Sequence, residues 1–115
     1  MKKLLIIGGT GLVASTLIKY AKNDYNIHIT INKNESVFDD IPNTKIDLMA
    51  NRSDITSLIK NFNPDVVVHT VAHSSVDLCE TDQKLAEILH VDITKDIAES
   101  CHLINAKLIY FSTDA

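Results

Sequence analysis

Lys3-Leu4-Leu5-Ile6-Ile7-Gly8-Gly9-Thr10-Gly11-Leu12-Val13-Ala14 is the stretch on which the fold turns. The run from Lys3 to Gly8 is continuously apolar and ends in glycines, the pattern of a strand buried on both faces of a parallel sheet. After the glycines the period changes. Leu12 or Val13, Leu17, Ile18 and Ala21 recur at helical spacing, with Lys19, Lys22 and Asn23 turned outward. The segment therefore predicts a strand, a glycine turn and a helix in immediate succession.

Downstream the same alternation continues. Asn23 and Asp24 end the helix, and Tyr25 to Ile31, alternating and rich in β-branched residues, is the second strand. Asn32 to Asn43 is polar, contains Pro42 and reads as a loop with one helical turn around Val37 to Asp40. Thr44 to Leu48 is a short third strand. Ser53 starts a helix as N-cap, with Asp54 in its first turn and Ile55, Leu58 and Ile59 as its apolar face. Asn63-Pro64-Asp65 closes that helix, and Val66, Val67 and Val68 form a central strand. From about Thr81 to Ile104 the positions Leu85, Ile88, Leu89, Ile93, Ile97 and Ala98 keep helical spacing, with an interruption expected near His90 to Thr94. Lys107 to Phe111 is the last strand.

No internal repeat, low-complexity segment or linker breaks the order β-α-β-β-α-β-α-β. It predicts an α/β fold: a Rossmann-type doubly wound parallel sheet of strand order 3-2-1-4-5. A full fold of this kind continues past its fifth strand, so a sheet truncated there is expected. The edge of Leu108 to Phe111 would then be apolar and uncovered, an association hazard that leaves room for a homodimer.

The 115 residues fit one domain, with no room for a separate substrate-binding one. With 45% hydrophobic and 23% charged residues the composition is that of a soluble globular protein. A formal net charge of -4 with scattered lysines offers no basic stripe, so nucleic acid is not an expected partner. The apolar run after Met1-Lys2-Lys3 is too short for a signal peptide, and no membrane span is expected. Cys79 and Cys101 are the only thiols, which excludes a dense disulfide framework and predicts a reduced, cytoplasmic protein.

The glycine loop carries the chemistry. Gly8 suits a tight turn, Gly11 lets the backbone approach a pyrophosphate, and Ala14 is small enough for the helix to pack on the strand. The helix N-terminus adds unpaired N–H groups for the anion. The bland alternative is a structural turn that happens to be rich in glycine. A strict NAD fingerprint would place Asp or Glu at the end of the second strand to accept from a ribose hydroxyl. Asn32 and Lys33 stand there instead, so nothing repels a 2′-phosphate and Lys33 can pair with one, which favours NADP over NAD. The alternative for Lys33 is an ordinary solvated lysine.

Gly8-x-x-Gly11-x-x-Ala14 resembles the TGxxGxxG loop of extended short-chain dehydrogenase/reductases, with Ile7 for the threonine and Ala14 for the last glycine. Asn63-Pro64-Asp65-Val66-Val67-Val68-His69-Thr70-Val71-Ala72-His73-Ser74-Ser75-Val76-Asp77-Leu78-Cys79-Glu80 is similar to the PDVVxNxAAxTxVDxxE stretch of the dTDP-4-dehydrorhamnose reductase group. Asp47-Leu48 matches that group's adenine-side "DL", and Leu108 to Asp114 resembles its LVYxSTDYVF. The resemblance covers essentially the whole chain.

It implies that Gly8, Gly11, Leu12 and Val13 hold the pyrophosphate of NAD or NADP and that Asp47 and Leu48 flank the adenine. Val71, Ala72 and His73 would line the ribose and nicotinamide side, and Thr113 would offer its hydroxyl to the substrate carbonyl of a nucleotide-linked sugar. His69 replaces the usual asparagine of the fourth-strand motif, and His90 replaces the asparagine before Val91. The family's Tyr-x-x-x-Lys pair, in which lysine lowers the tyrosine pKa for proton transfer to the carbonyl, is missing. Tyr20, Tyr25 and Tyr110 are followed four positions on by Asp24, Ile29 and Asp114. A fragment without turnover is therefore expected.

Sharper readings meet blander ones. His69 and His73, with Cys79, Cys101 or His102, could be drawn as a zinc site, but their spacing places them on a strand end without paired cysteines, and no metal is expected. Asp77 and Glu80 complement a helix start rather than forming an acid–base pair. Ser112 and Thr113 lack a nucleophile elbow. His28 and His102 are expected on partly exposed surfaces. Two functions stand open: an NAD(P)-dependent oxidoreductase of the reductase group, or a non-catalytic cofactor-binding protein like the regulatory subunit of methionine adenosyltransferase.

Overall fold

The computed structural model describes residues 1–8, 12–31, 41–46, 53–70 and 83–110, with the backbone alone for 12–13 and 83–90. Five strands and three helices follow in the order β1 (Lys2–Ile7), α1 (Leu12–Ala21), β2 (Tyr25–Ile31), β3 (Asn43–Lys45), α2 (Ser53–Phe62), β4 (Val66–His69), α3 (Gln83–Leu103) and β5 (Lys107–Tyr110). All pairings are parallel and the strand order is β3-β2-β1-β4-β5, the doubly wound arrangement that the alternation predicts.

β1 is apolar throughout its second half because both its faces are covered. Leu4 and Ile6 join Ile27, Ile29 and Val68 beneath α1, which contributes Ala14, Ile18 and Ala21. Leu5 and Ile7 point the other way, into a second cluster with Val67 and with Ile55, Ile59, Ile93 and Ile97 from α2 and α3. The two helical layers thus sandwich the strand. Lys19, Lys22 and Asn23 are exposed, as the periodicity of α1 requires.

Asparagines end two of the helices. Asn63 follows α2 at φ 53° and Asn105 follows α3 at φ 59°, the left-handed position that asparagine tolerates better than most residues. After α3 the Ala106 amide donates to the Cys101 carbonyl and the Asn105 amide to His102, a paired closure that turns the chain into β5.

α3 departs from expectation. It runs unbroken through His90 to Thr94, where an interruption is expected. Ile93, Ile97 and Cys101 are buried four residues apart, and this packing outweighs the weak local propensity. The same stripe leaves Ala98 exposed, one position off the buried line, while Ser100 occupies the buried side and donates its hydroxyl to the Asp96 carbonyl at 2.8 Å. β3 is also earlier than predicted, beginning at Asn43, although the Ile46 amide still reaches the Ile31 carbonyl. The helical turn expected around Val37 to Asp40 lies outside the described residues. On β5, Ile109 and Tyr110 remain 40% and 41% exposed, in line with an apolar outer strand.

Candidate functional site

Because every strand is parallel, all five carboxyl ends share one edge of the sheet. Ligands of open α/β sheets bind beyond that edge, where the strand order reverses. Here the reversal lies at β1, which has β2 on one side and β4 on the other.

At this point the chain leaves β1 through Gly8, whose φ is 89°. A side chain would be strained in that conformation, so glycine is the residue the turn needs. Both neighbouring strands hold the turn. From β2, the buried Thr30 hydroxyl accepts from the Gly8 amide at 3.0 Å. Beyond β4, the Thr70 hydroxyl lies 2.8 Å from the carbonyl oxygens of both Ile7 and Gly8, and the Thr70 amide donates to Ile7 as well.

α1 then begins at Leu12 with no acidic residue in its first turn. The first N–H groups of a helix have no intrahelical acceptors and carry the positive end of the helix dipole. A carboxylate there would compete with an anionic ligand, and none is present. Ala14 is fully buried against β1, so the start of the helix sits close to the strand, the packing for which a small residue is needed.

The end of β4 carries His69, fully buried. Its Nε2 lies 3.2 Å from the Thr94 hydroxyl of α3, and its ring stacks on Tyr110 of β5. The imidazole is therefore engaged by two other elements. Among the described residues no group of three or more His, Cys, Asp or Glu could hold a metal ion. Nor does any described helix have the length and apolar character to cross a membrane.

Of the residues singled out in the sequence, Gly8 follows the last residue of β1, and Leu12 and Val13 open α1. Gly11, Lys33, Asp47, Leu48, Val71, Ala72, His73 and Thr113 lie outside the described residues. The described chain nevertheless runs into those stretches from one common edge: Ile31 ends β2, Ile46 follows β3, Thr70 follows β4 and Tyr110 ends β5. No motif spacing gives Thr30 or Thr70 a role beside Gly8. One signal was available, since a hydroxyl between Ile29 and Ile31 in a buried strand needs a hydrogen-bond partner.

His28 lies midway along β2. Its Nε2 is 2.7 Å from the Thr44 hydroxyl and its ring is 5.3 Å from that of Phe62; burial lowers its pKa from 6.5. His28 also borders a cavity of about 540 Å³ shared with Lys3, Lys22, Tyr25, Ile41 and Phe62. That cavity opens at the amino ends of β1 and β2, away from the edge where this architecture gathers its ligands.

A family model described as "RmlD substrate binding domain" matches residues 1–115. A dTDP-4-dehydrorhamnose reductase of Shigella flexneri is 31% identical over 65 residues, covering 56% of this chain and 22% of that protein. The methionine adenosyltransferase 2 subunit beta of Bos taurus is 27% identical over 115 residues, covering 98% of this chain and 33% of that protein. The chain thus spans between about a fifth and a third of the length of these relatives. Among solved structures, a hypothetical dTDP-4-dehydrorhamnose reductase from Sulfolobus tokodaii superposes with a TM-score of 0.79 at 20% identity, over 94% of this chain and 38% of that one. At that identity the likeness speaks for the fold.

Proposed function

The chain belongs to the RmlD substrate binding domain family, and from that premise we propose that residues 1–115 form the NAD(P)-binding domain of a cytoplasmic oxidoreductase that reduces a keto group of a nucleotide-linked sugar. The observation that carries this reading is the Gly8 turn. It stands at the end of the central strand, at the reversal of strand order, and leads into a helix start free of acidic side chains. A diphosphate suits that place, because main-chain N–H groups and the helix dipole meet an anion there without a competing charge.

In this reading Gly8, Gly11, Leu12 and Val13 receive the pyrophosphate, Lys33 pairs with a 2′-phosphate, and Asp47 and Leu48 flank the adenine. Val71, Ala72 and His73 line the ribose and nicotinamide side. Thr113 donates its hydroxyl to the substrate carbonyl and so holds it in place. The bound nicotinamide supplies the hydride. Proton delivery to the carbonyl oxygen requires a further acid, and none of the three tyrosines of the chain is followed four residues later by lysine. The 115 residues are accordingly expected to bind cofactor without turning over substrate.

Titration with NADPH and with NADH, read as a rise in melting temperature, tests the reading. A ligand that binds the folded state alone raises stability as its concentration exceeds Kd. Gly11→Leu should abolish the rise, with NADPH the stronger ligand in the original chain. A rise that survives Gly11→Leu would place the site elsewhere.

The match to a methionine adenosyltransferase subunit along 98% of the chain favours a second reading, a dinucleotide-binding regulatory protein without chemistry of its own. Both readings predict cofactor binding. Reductase activity in a longer protein that carries Tyr-x-x-x-Lys after these residues separates them.

A further inference from the structure

We propose that Thr30 and Thr70 are positioning residues for the dinucleotide, acting through Gly8 from β2 and from the residue just past β4. The inference rests on the dinucleotide reading above and adds residues to it that no family motif supplies.

In an extended strand successive carbonyls point to opposite sides. At Gly8, with φ at 89°, the carbonyls of residues 7 and 8 instead converge on one hydroxyl, each 2.8 Å from Thr70 Oγ1. Two carbonyl oxygens facing the same spot repel each other, and the Thr70 hydroxyl, within donating distance of both, offers its one proton there. On the other flank the Gly8 N–H is donated to Thr30 Oγ1 at 3.0 Å. Both the amide and the carbonyl of Gly8 are thereby tied to side chains 22 and 62 residues away. A planar peptide held at its carbonyl cannot rotate freely, so the direction in which the chain leaves β1 is set by these hydroxyls.

The sequence adds a second point. Ile7 occupies the position where the loop of the family has threonine, so β1 brings no hydroxyl of its own to the turn. β2 and the residue after β4 supply one each. Preorganisation of this kind acts on affinity, because main chain already held at Gly8 loses less freedom when the ligand arrives.

The test uses the 115-residue chain, NADPH as probe and its fluorescence as readout, with Thr30→Val, Thr70→Val and the two serine variants. Valine keeps the shape of threonine and favours strands, so the hydroxyl is the main loss. Each valine variant should raise the Kd for NADPH about tenfold, as expected for removing one hydrogen bond that orients the site. Each serine variant should bind within about twofold of the original chain, because the hydroxyl is restored.

A purely structural role would lower the melting temperature and leave the Kd, measured well below it, unchanged; that result overturns the proposal. If Thr70→Val does not fold, Thr30→Val decides by the same criterion. Failure of both valine variants to fold would assign the hydroxyls to the fold and overturn the proposal too. Absence of NADPH and NADH binding in the original chain would sink the dinucleotide reading itself, and this inference with it. Binding there with unaltered affinity in the valine variants would sink this inference alone.

Discussion

Tyr110 stacks on His69 across the β4–β5 pairing, with ring centroids 4.9 Å apart and ring planes inclined by 24°. The same imidazole meets Thr94, so one side chain ties together two strands and the middle of α3. A buried polar ring is costly without a hydrogen-bond partner, and Thr94 of α3 supplies one to Nε2.

His69→Ala should therefore lower unfolding free energy by about 2–4 kcal/mol, since it empties a buried site and strips Thr94 of its contact. Tyr110→Ala should cost less, about 0.5–1.5 kcal/mol, because the residue is 41% exposed and loses mainly its stacking. Urea denaturation followed by circular dichroism measures both. Equal losses for the two variants would contradict the central role given to His69.

Ala14→Leu should destabilise the chain by about 1–3 kcal/mol through overpacking, because Ala14 has no exposed surface and lies between α1 and β1. It should also weaken NADPH binding by pushing the helix start away from the strand. A leucine variant with unchanged stability would show room at this contact that the packing does not display.

The order of elements was legible from local signals. The glycine turn after an apolar run, Val66 to Val68, and helices separated by asparagine and proline suffice to predict the strand order. Two things were not legible. α3 continues through His90 to Thr94 because Ile93 and Ile97 bury against the sheet, and burial depends on elements distant in sequence. The Thr30 and Thr70 contacts with Gly8 likewise span 22 and 62 residues, and the spacing of motifs gives no sign of them.

Cys101 should resist alkylation in the native chain near neutral pH. The residue is 2% exposed and burial pushes its thiol pKa up to about 11, so the reactive thiolate is scarce. Iodoacetamide labelling with peptide mass analysis should show reaction at Cys101 only in denaturant. Labelling at equal rates with and without denaturant would be the contrary result.

Acid should weaken the fold partly through His28. Burial disfavours its charged form, so its folded pKa lies below the unfolded value of 6.5. The unfolded chain then binds the proton more readily, and stability drops as pH falls from above 6.5 through the folded pKa. His28→Gln removes this contribution. Its melting temperature should decline less than that of the original chain over that interval, and parallel curves would exclude His28 as a source.

The double burial of β1 has an unusual consequence for strand alignment. A strand with one wet face resists slipping by a residue because a slip would drown its apolar side chains, but Leu4 to Ile7 would find hydrocarbon on either side. Alignment must then come from pins at the ends. At one end the Lys3 amide donates to the Asp65 carboxylate at 2.8 Å while the Asp65 amide returns a bond to the Lys3 carbonyl. At the other, threonine hydroxyls grip Gly8. The middle of the strand supplies cohesion, and its two extremities decide where it stops.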